Sequence, residues 1–129
     1  MRTFFFHKYA RLLGAFFIFL SLAASTAFAR DAKQDARIEH LISHVESLKG
    51  AVFIRNGTEY DTKAAGSHLR MKLGKAGDKV KTAEDFINGL ASKSSTSGKP
   101  YQIRKTDGTL TDTRPYFYDR LKEYDKAHP

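Results

Sequence analysis

Between residues 36 and 50, apolar side chains recur with the spacing of one helix face. They fall at i, i+3, i+4, i+7 and i+10 and are Ile38, Leu41, Ile42, Val45 and Leu48. Gly50 lies just beyond them and is a natural helix stop. The spacing predicts a first helix, and the polar residues 31–36 ahead of it are expected to form a frayed leader.

Two short segments further along the chain predict β-hairpins. An Asn-Gly dipeptide lies at the centre of residues 52–60, and an Asp-Gly dipeptide lies near the centre of residues 101–111. These dipeptides are strong hairpin signals, because both central residues of such a turn must take positive φ. Each segment is therefore expected to form two short antiparallel strands. The pattern leaves open whether the two hairpins share one sheet.

Three further helices are expected around the hairpins. Asp61 can cap the second helix, which Gly74 is expected to end. The third helix begins with a capping-box-like run at residues 82–85 and carries apolar positions at helical spacing. Residues 94–100 read as a loop, and Pro115 suits the first turn of the last helix. The order α-ββ-αα-ββ-α predicts a single small α+β domain, in which short antiparallel hairpins pack with helices.

The first 29 residues differ from everything after them. They carry three basic residues and no acid, then an apolar run at residues 12–24, then small residues up to Ala29. A basic start, a short apolar run and an A-x-A site define a cleavable secretory signal peptide, and an uncleaved anchor is the weaker alternative. We expect cleavage after Ala29, a mature domain at residues 30–129 with its core at about residues 36–124, and a periplasmic location.

Composition excludes several classes of site. The chain has no cysteine, which excludes disulfides, thiolate zinc sites and cysteine nucleophiles. It carries 22 basic and 14 acidic residues, and without the three basic residues of the leader the balance is 19 to 14, a net charge of +5. These charges are scattered, so we expect no nucleic-acid partner. Membrane contact is expected only through the signal peptide before its cleavage.

Several short runs are similar to those of a known family. They are Phe53-Ile54-Arg55-Asn56-Gly57, Tyr60, His68-Leu69 with Lys72, Thr82-Ala83-Glu84 with Phe86-Ile87, Ala91-Ser92, Ser94-Ser95, and Ser97-Gly98 before Pro100-Tyr101. In this combination the chain resembles the YfeK-like family of small exported bacterial proteins over about residues 36–124. The resemblance implies a signal-bearing, periplasmic, single-domain protein with no assigned activity. It supplies no catalytic residues and no cofactor.

Polar side chains of the second helix and of the serine-rich loop form one candidate binding site. His68 and Lys72 lie at i and i+4, so they share a helix face. Ser94, Ser95 and Ser97 supply hydroxyls that can hold an anion, although serine hydroxyls more often make local turns. His68 can equally be a half-buried side chain that donates to a backbone carbonyl.

The hairpins add four residues to this candidate site. Asn56 lies in the first turn, between Arg55 and the strand that ends at Tyr60. If the hairpins share one sheet, Tyr60 and Tyr101 line one face beside Arg55. Tyrosine with arginine is a composition favoured in binding patches, and a core-edge tyrosine with its hydroxyl in water is the plain alternative.

Catalytic and metal-binding alternatives have less support. Ser95, His68 and Asp61 supply the side chains of a hydrolase triad, but neither a G-x-S-x-G nor an S-x-x-K motif is present. His40 and His44 have metal-binding spacing but lack the further ligands that zinc requires, so we expect no metal and no cofactor.

We therefore expect a non-enzymatic envelope module that binds another envelope protein or an anionic envelope component. The first alternative is a small hydrolase that uses the serine loop with His68. The second is a chaperone-like protein that uses aromatic side chains left exposed on the last helix.

Overall fold

Four helices and four short strands follow one another in the predicted order. The computed structural model describes residues 30–129, and the predicted signal peptide lies outside the described residues. The elements are α1 (Ala32–Ser47), β1 (Val52–Arg55), β2 (Thr58–Tyr60), α2 (Thr62–Ala76), α3 (Ala83–Phe86), β3 (Gln102–Arg104), β4 (Leu110–Asp112) and α4 (Thr113–Ala127). The α+β class is therefore confirmed. Within residues 30–129, no helix is long and apolar enough to cross a membrane.

The two hairpins form one antiparallel sheet with the strand order β2-β1-β3-β4. Strands β1 and β3 join the hairpins, because Phe53 of β1 lies opposite Tyr60 on one side and Ile103 on the other. Residues directly opposite each other share a face of the sheet. This inner face supplies Phe53 and Ile103 to the core, where α1, α3 and α4 contribute most of the remaining side chains.

Three of the expected helix boundaries are wrong. Residues 31–36 are not a frayed leader, because α1 begins at Ala32 and the Asp31 side chain caps it by accepting from the amide of Lys33. Gly74 does not end α2, which continues to Ala76 and stops at Gly77, where φ is +54°. The third helix is α-helical only over Ala83–Phe86.

The third helix continues as a wider π-helical turn over Ile87–Ala91. Side chains from outside the turn bind its carbonyl groups. Ser92 Oγ donates to the carbonyl of Ile87, and Thr113 Oγ1 donates to that of Ala91 at 2.6 Å. Ser92 directly follows the turn, whereas Thr113 lies 22 positions beyond Ala91, so the turn depends in part on a partner that the local sequence does not contain. Such π-helical turns often occur at functional sites.

Arg37 of α1 joins three helices. Its guanidinium donates to both carboxylate oxygens of Glu84 in α3 and to both of Asp125 in α4, at 2.6–3.0 Å. The Arg37 side chain is 10% exposed. Arg70 of α2 makes a similar set of bonds to the carboxylates of Glu39 and Glu46 in α1, but its side chain is 42% exposed.

These two arginines allow a matched stability test. We expect Arg37→Gln to lower the free energy of unfolding by about 2 kcal/mol, because it leaves charged acceptors without their partner. The loss stays below that of a fully buried ion pair, since the side chains of Glu84 and Asp125 remain 43% and 41% exposed. Arg70→Gln should cost less than about 1 kcal/mol, as exposed pairs do. Urea unfolding of both variants measures the difference, and equal losses would contradict the assigned role of Arg37.

The same ion pair predicts a pH dependence. The hydrogen bond from Arg37 holds the pKa of Glu84 below its ordinary value of 4.5. The folded state therefore binds this proton less readily than the unfolded state, so the stabilisation is present above pH 4.5 and is lost as the pH falls below it. We expect the stability difference between the parent protein and Arg37→Gln to shrink below pH 4.5. A stability difference that stays constant down to pH 3 would show that the Arg37–Glu84 pair does not make the free energy of unfolding depend on pH.

Candidate binding site

A cavity of about 230 Å³ lies between α2 and the inner face of the sheet. Its apolar wall includes Phe53, Leu69, Ala91 and Phe117. Its polar lining comprises Arg55, Tyr60, His68, Tyr101 and Thr113. Four of the nine candidate binding residues thus lie around one cavity, namely Arg55, Tyr60, His68 and Tyr101.

The sheet register explains why three of these side chains meet. Arg55 lies two residues beyond Phe53 on β1, so both side chains emerge on the inner face. Tyr60 lies directly opposite Phe53, and Tyr101 lies two residues before Ile103. The small residues Ala64 and Ala65 of α2 also line the cavity, next to His68 one turn later.

Two nitrogen atoms in the lining side chains have no hydrogen-bond partner among residues 30–129. They are Arg55 Nε and His68 Nε2, and both are buried. The sequence allows His68 to donate to a backbone carbonyl. Its Nε2 makes no such bond within the described residues. A buried polar group without a partner costs roughly 1–3 kcal/mol. Either nitrogen can turn toward a ligand without breaking an existing hydrogen bond.

Arg55 differs from most other arginines of the described chain. Five of them pair with carboxylates, namely Arg30, Arg37, Arg70, Arg104 and Arg120. Arg55 makes no ion pair within residues 30–129. No aspartate or glutamate is among the residues that line the cavity. The cavity therefore holds a positive charge on its wall without a neighbouring counter-charge.

The ionisation of nearby groups reflects this charge. Burial lowers the pKa of the His68 imidazole, and the charges of Arg55, Lys72 and Lys75 lower it further. Burial and the Arg55 charge also lower the pKa of the Lys72 ammonium. Burial raises the pKa of the Tyr101 hydroxyl, which the Arg55 charge opposes. An anion in the cavity would relieve these unfavourable interactions between like charges.

Lys72 lies behind the cavity wall and positions Tyr101. Its ammonium donates to the Leu90 carbonyl at 2.8 Å and to the Tyr101 hydroxyl at 3.2 Å. It also lies 5.1 Å from the centre of the Tyr101 ring. Lys72 thus connects α2, the π-helical turn and the tyrosine, but it does not itself line the cavity.

The hairpin turn and the serine-rich loop meet at a separate place. Asn56 donates to the hydroxyl of Ser94 at 3.2 Å and accepts from the hydroxyl of Ser97. Ser94 is 1% exposed, and its hydroxyl also lies 3.0 Å from that of Thr96. These side chains bond the serine-rich loop to the hairpin turn, and none of them lines the cavity.

The residues of the alternative triad have separate surroundings. The Asp61 carboxylate accepts from the amide of Ala64 and thereby caps α2. Ser95 is exposed, and neither Ser95 nor Asp61 is among the cavity-lining residues with His68. In the described residues, no group of three or more His, Cys, Asp or Glu side chains could hold a metal ion.

Part of the aromatic surface of α4 remains exposed, as expected. Phe117 is buried, and the three tyrosines of α4 are half-buried. Two histidines of α1 cover part of Tyr116 and Tyr124. A ring nitrogen of His44 lies 2.6 Å from the Tyr116 hydroxyl, and the His40 ring packs 4.5 Å from that of Tyr124.

Sequence reasoning missed some of the lining residues. Thr113 gives no sequence signal, because its position in the lining depends on a long-range bond from its amide to the Tyr101 carbonyl. The adjacent Ala64 and Ala65 do give a sequence signal, since small side chains on a helix that faces a sheet leave room for a cavity.

Comparison with known proteins agrees with the resemblance noted in the sequence. Residues 32–125 match the Family of unknown function (DUF5329). The chain is 42% identical over 71 residues to the "Uncharacterized protein YfeK" of Salmonella typhimurium (strain LT2), and the match covers 55% of this chain and 59% of that protein. No solved structure matches. Since the family match extends from the first residue of α1 almost to the end of α4, the chain belongs to this family of unknown function, and the predicted YfeK-like kinship is confirmed.

Proposed function

We propose that this protein is an exported, non-enzymatic binding module of the bacterial envelope. Its cavity takes the anionic group of a small envelope component. The basic start, apolar run and A-x-A site of residues 1–29 support export to the periplasm. The cavity between α2 and the sheet supports a small ligand in preference to a protein partner.

The pair of unpaired nitrogens at Arg55 and His68 carries the proposal. Buried polar groups almost always have partners, so an exception requires a physical explanation. A bound anion supplies one, because its oxygens accept from both nitrogens and offset the charge of Arg55. Cavities with an apolar wall and a few convergent polar groups are the usual form of small-molecule sites.

No observation favours the hydrolase alternative. A serine nucleophile needs a base within hydrogen-bond reach, and the base in turn needs an orienting group. His68 lines the cavity, whereas Asp61 is used as the cap of α2. The polar groups of the cavity are suited to holding an anion and include no nucleophile with a paired base.

Anion binding is testable with acetate as the probe. We expect acetate to shift the amide resonances of Arg55, His68 and Tyr101, with a dissociation constant in the millimolar range because so small a ligand makes few contacts. Arg55→Gln should weaken binding at least about tenfold, since it removes the unpaired charge. NMR titration of protein produced from the full-length sequence measures both quantities.

Arg104→Gln is the matched control for this titration. Arg104 lies on the neighbouring strand β3 but on the opposite face of the sheet, where it pairs with Glu59 at 2.6 Å. Its replacement should leave acetate binding unchanged. Absence of any shift at the cavity, or an equal loss in both variants, would contradict the proposed site.

The proposed location has its own test. We expect protein expressed with its leader in a Gram-negative host to appear in the periplasmic fraction with Arg30 as its first residue, because the peptidase cuts after the A-x-A site. Removal of residues 2–29 should retain the protein in the cytoplasm. N-terminal sequencing of each fraction is decisive, and full-length protein held in the membrane would instead indicate an uncleaved anchor.

A further inference from the structure

We infer that the ligand is an amphipathic monoanion, in which a carboxylate group is joined to a compact apolar chain or ring. This inference rests on the proposed function, because it takes the anion site at Arg55 as given and specifies what is attached to the anion. It concerns the part of the cavity that a bare anion would leave unfilled.

The apolar wall of the cavity favours a ligand with an apolar body. Phe53, Leu69, Ala91 and Phe117 line the cavity, and all four belong to the buried hydrophobic core. These side chains offer no hydrogen bond to a sugar or to a second charged group. A polar ligand would therefore lose its hydration against them without compensation, whereas an apolar ligand body would gain contact.

The volume of the cavity limits the size of the ligand. A dry cavity of about 150 Å³ lined by apolar side chains holds benzene. The cavity here is about 230 Å³, so it has room for one ring with a short acid arm, or for a chain of similar bulk. It lies below the range of about 300–1,000 Å³ that is usual for drug-sized ligands. Whole phospholipids and glycan chains are too large for it.

The charges around the cavity favour a ligand with a single negative charge. Arg55 lines the cavity and carries a permanent positive charge. It has no carboxylate partner within residues 30–129. Lys72 is already bound to the Leu90 carbonyl and the Tyr101 hydroxyl. The remaining polar groups of the lining include Tyr60 and Thr113, which carry no charge. One unpaired charge matches one carboxylate, and planar guanidinium groups recognise carboxylates by paired hydrogen bonds.

Four probes test this inference at neutral pH in titration calorimetry on the protein produced from its full-length sequence. They are octanoate, 3-phenylpropanoate, octan-1-ol and acetate. Burial of each additional methylene is worth about fourfold in affinity, so we expect octanoate to bind at least roughly 100-fold more tightly than acetate even after ordering costs. Octan-1-ol should bind at least tenfold more weakly than octanoate, because it lacks the charge that Arg55 pairs with.

The two carboxylates with apolar bodies separate two possible sources of the ligand. Tighter binding of octanoate supports an acyl chain derived from lipid, and tighter binding of 3-phenylpropanoate supports an aryl acid. Ala64→Leu should reduce the affinity of both at least tenfold by filling the lined space, while acetate binding changes little. Ala36→Leu is the control, since Ala36 is an exposed residue of α1 outside the cavity lining.

The outcomes distinguish this inference from the proposed function. If acetate and octanoate bind equally tightly at Arg55, the inference that the ligand has an apolar body is wrong. The proposed anion site at Arg55 is then still supported. If octan-1-ol binds as tightly as octanoate, the role of Arg55 is wrong and both proposals are overturned. If none of the four probes binds to folded protein, both proposals are likewise overturned.

Discussion

Three of the four helices meet at the guanidinium of Arg37. This group donates to the carboxylates of Glu84 and Asp125 and is largely withdrawn from water, so it joins α1 to α3 and α4. The position of α3 then fixes the π-helical turn that follows it. The carbonyl groups of this turn accept from Lys72 and Thr113, which are parts of the cavity region. The Arg37 ion pairs and the candidate site are therefore connected through α3 and the π-helical turn.

Arg55 is the counterpart of Arg37 within the same fold. Both arginines extend from faces that otherwise supply apolar side chains to the core. Arg37 meets four carboxylate oxygens, whereas Arg55 meets none and lowers the pKa of His68 and Lys72 instead. A charge in such surroundings destabilises the ligand-free protein, and natural proteins often retain such a cost where binding requires it. This contrast is the physical basis for placing the ligand at Arg55.

Local features of the fold were predictable from the sequence. The apolar stripe of α1 follows the helical repeat, and its first four members are buried. The Asn56-Gly57 turn takes φ of +49° and +78°, as the dipeptide indicates. Thr82 and Asp85 form the capping box that begins α3. Each of these features depends on residues only a few positions apart.

Features that depend on distant residues were not predictable in the same way. The carboxylate partners of Arg37 lie 47 and 88 positions away, so no local pattern reveals them. One signal existed, because Arg37 precedes Leu41 by four residues and must share its apolar helix face. Likewise, the alternation from Phe53 to Arg55 places a charge on the inner face of β1. The cavity itself depends on how α2 docks on the sheet, which the sequence does not specify.

The most direct test of an anion site at Arg55 and His68 is the pKa of the His68 imidazole, followed by NMR with and without saturating octanoate. In the free protein, burial and the charge of Arg55 should hold this pKa below its ordinary value of 6.5. A carboxylate bound beside the ring favours the protonated imidazole, so we expect the ligand to raise the pKa. A His68 pKa that does not change when octanoate is bound would contradict the assignment of the anion to this cavity.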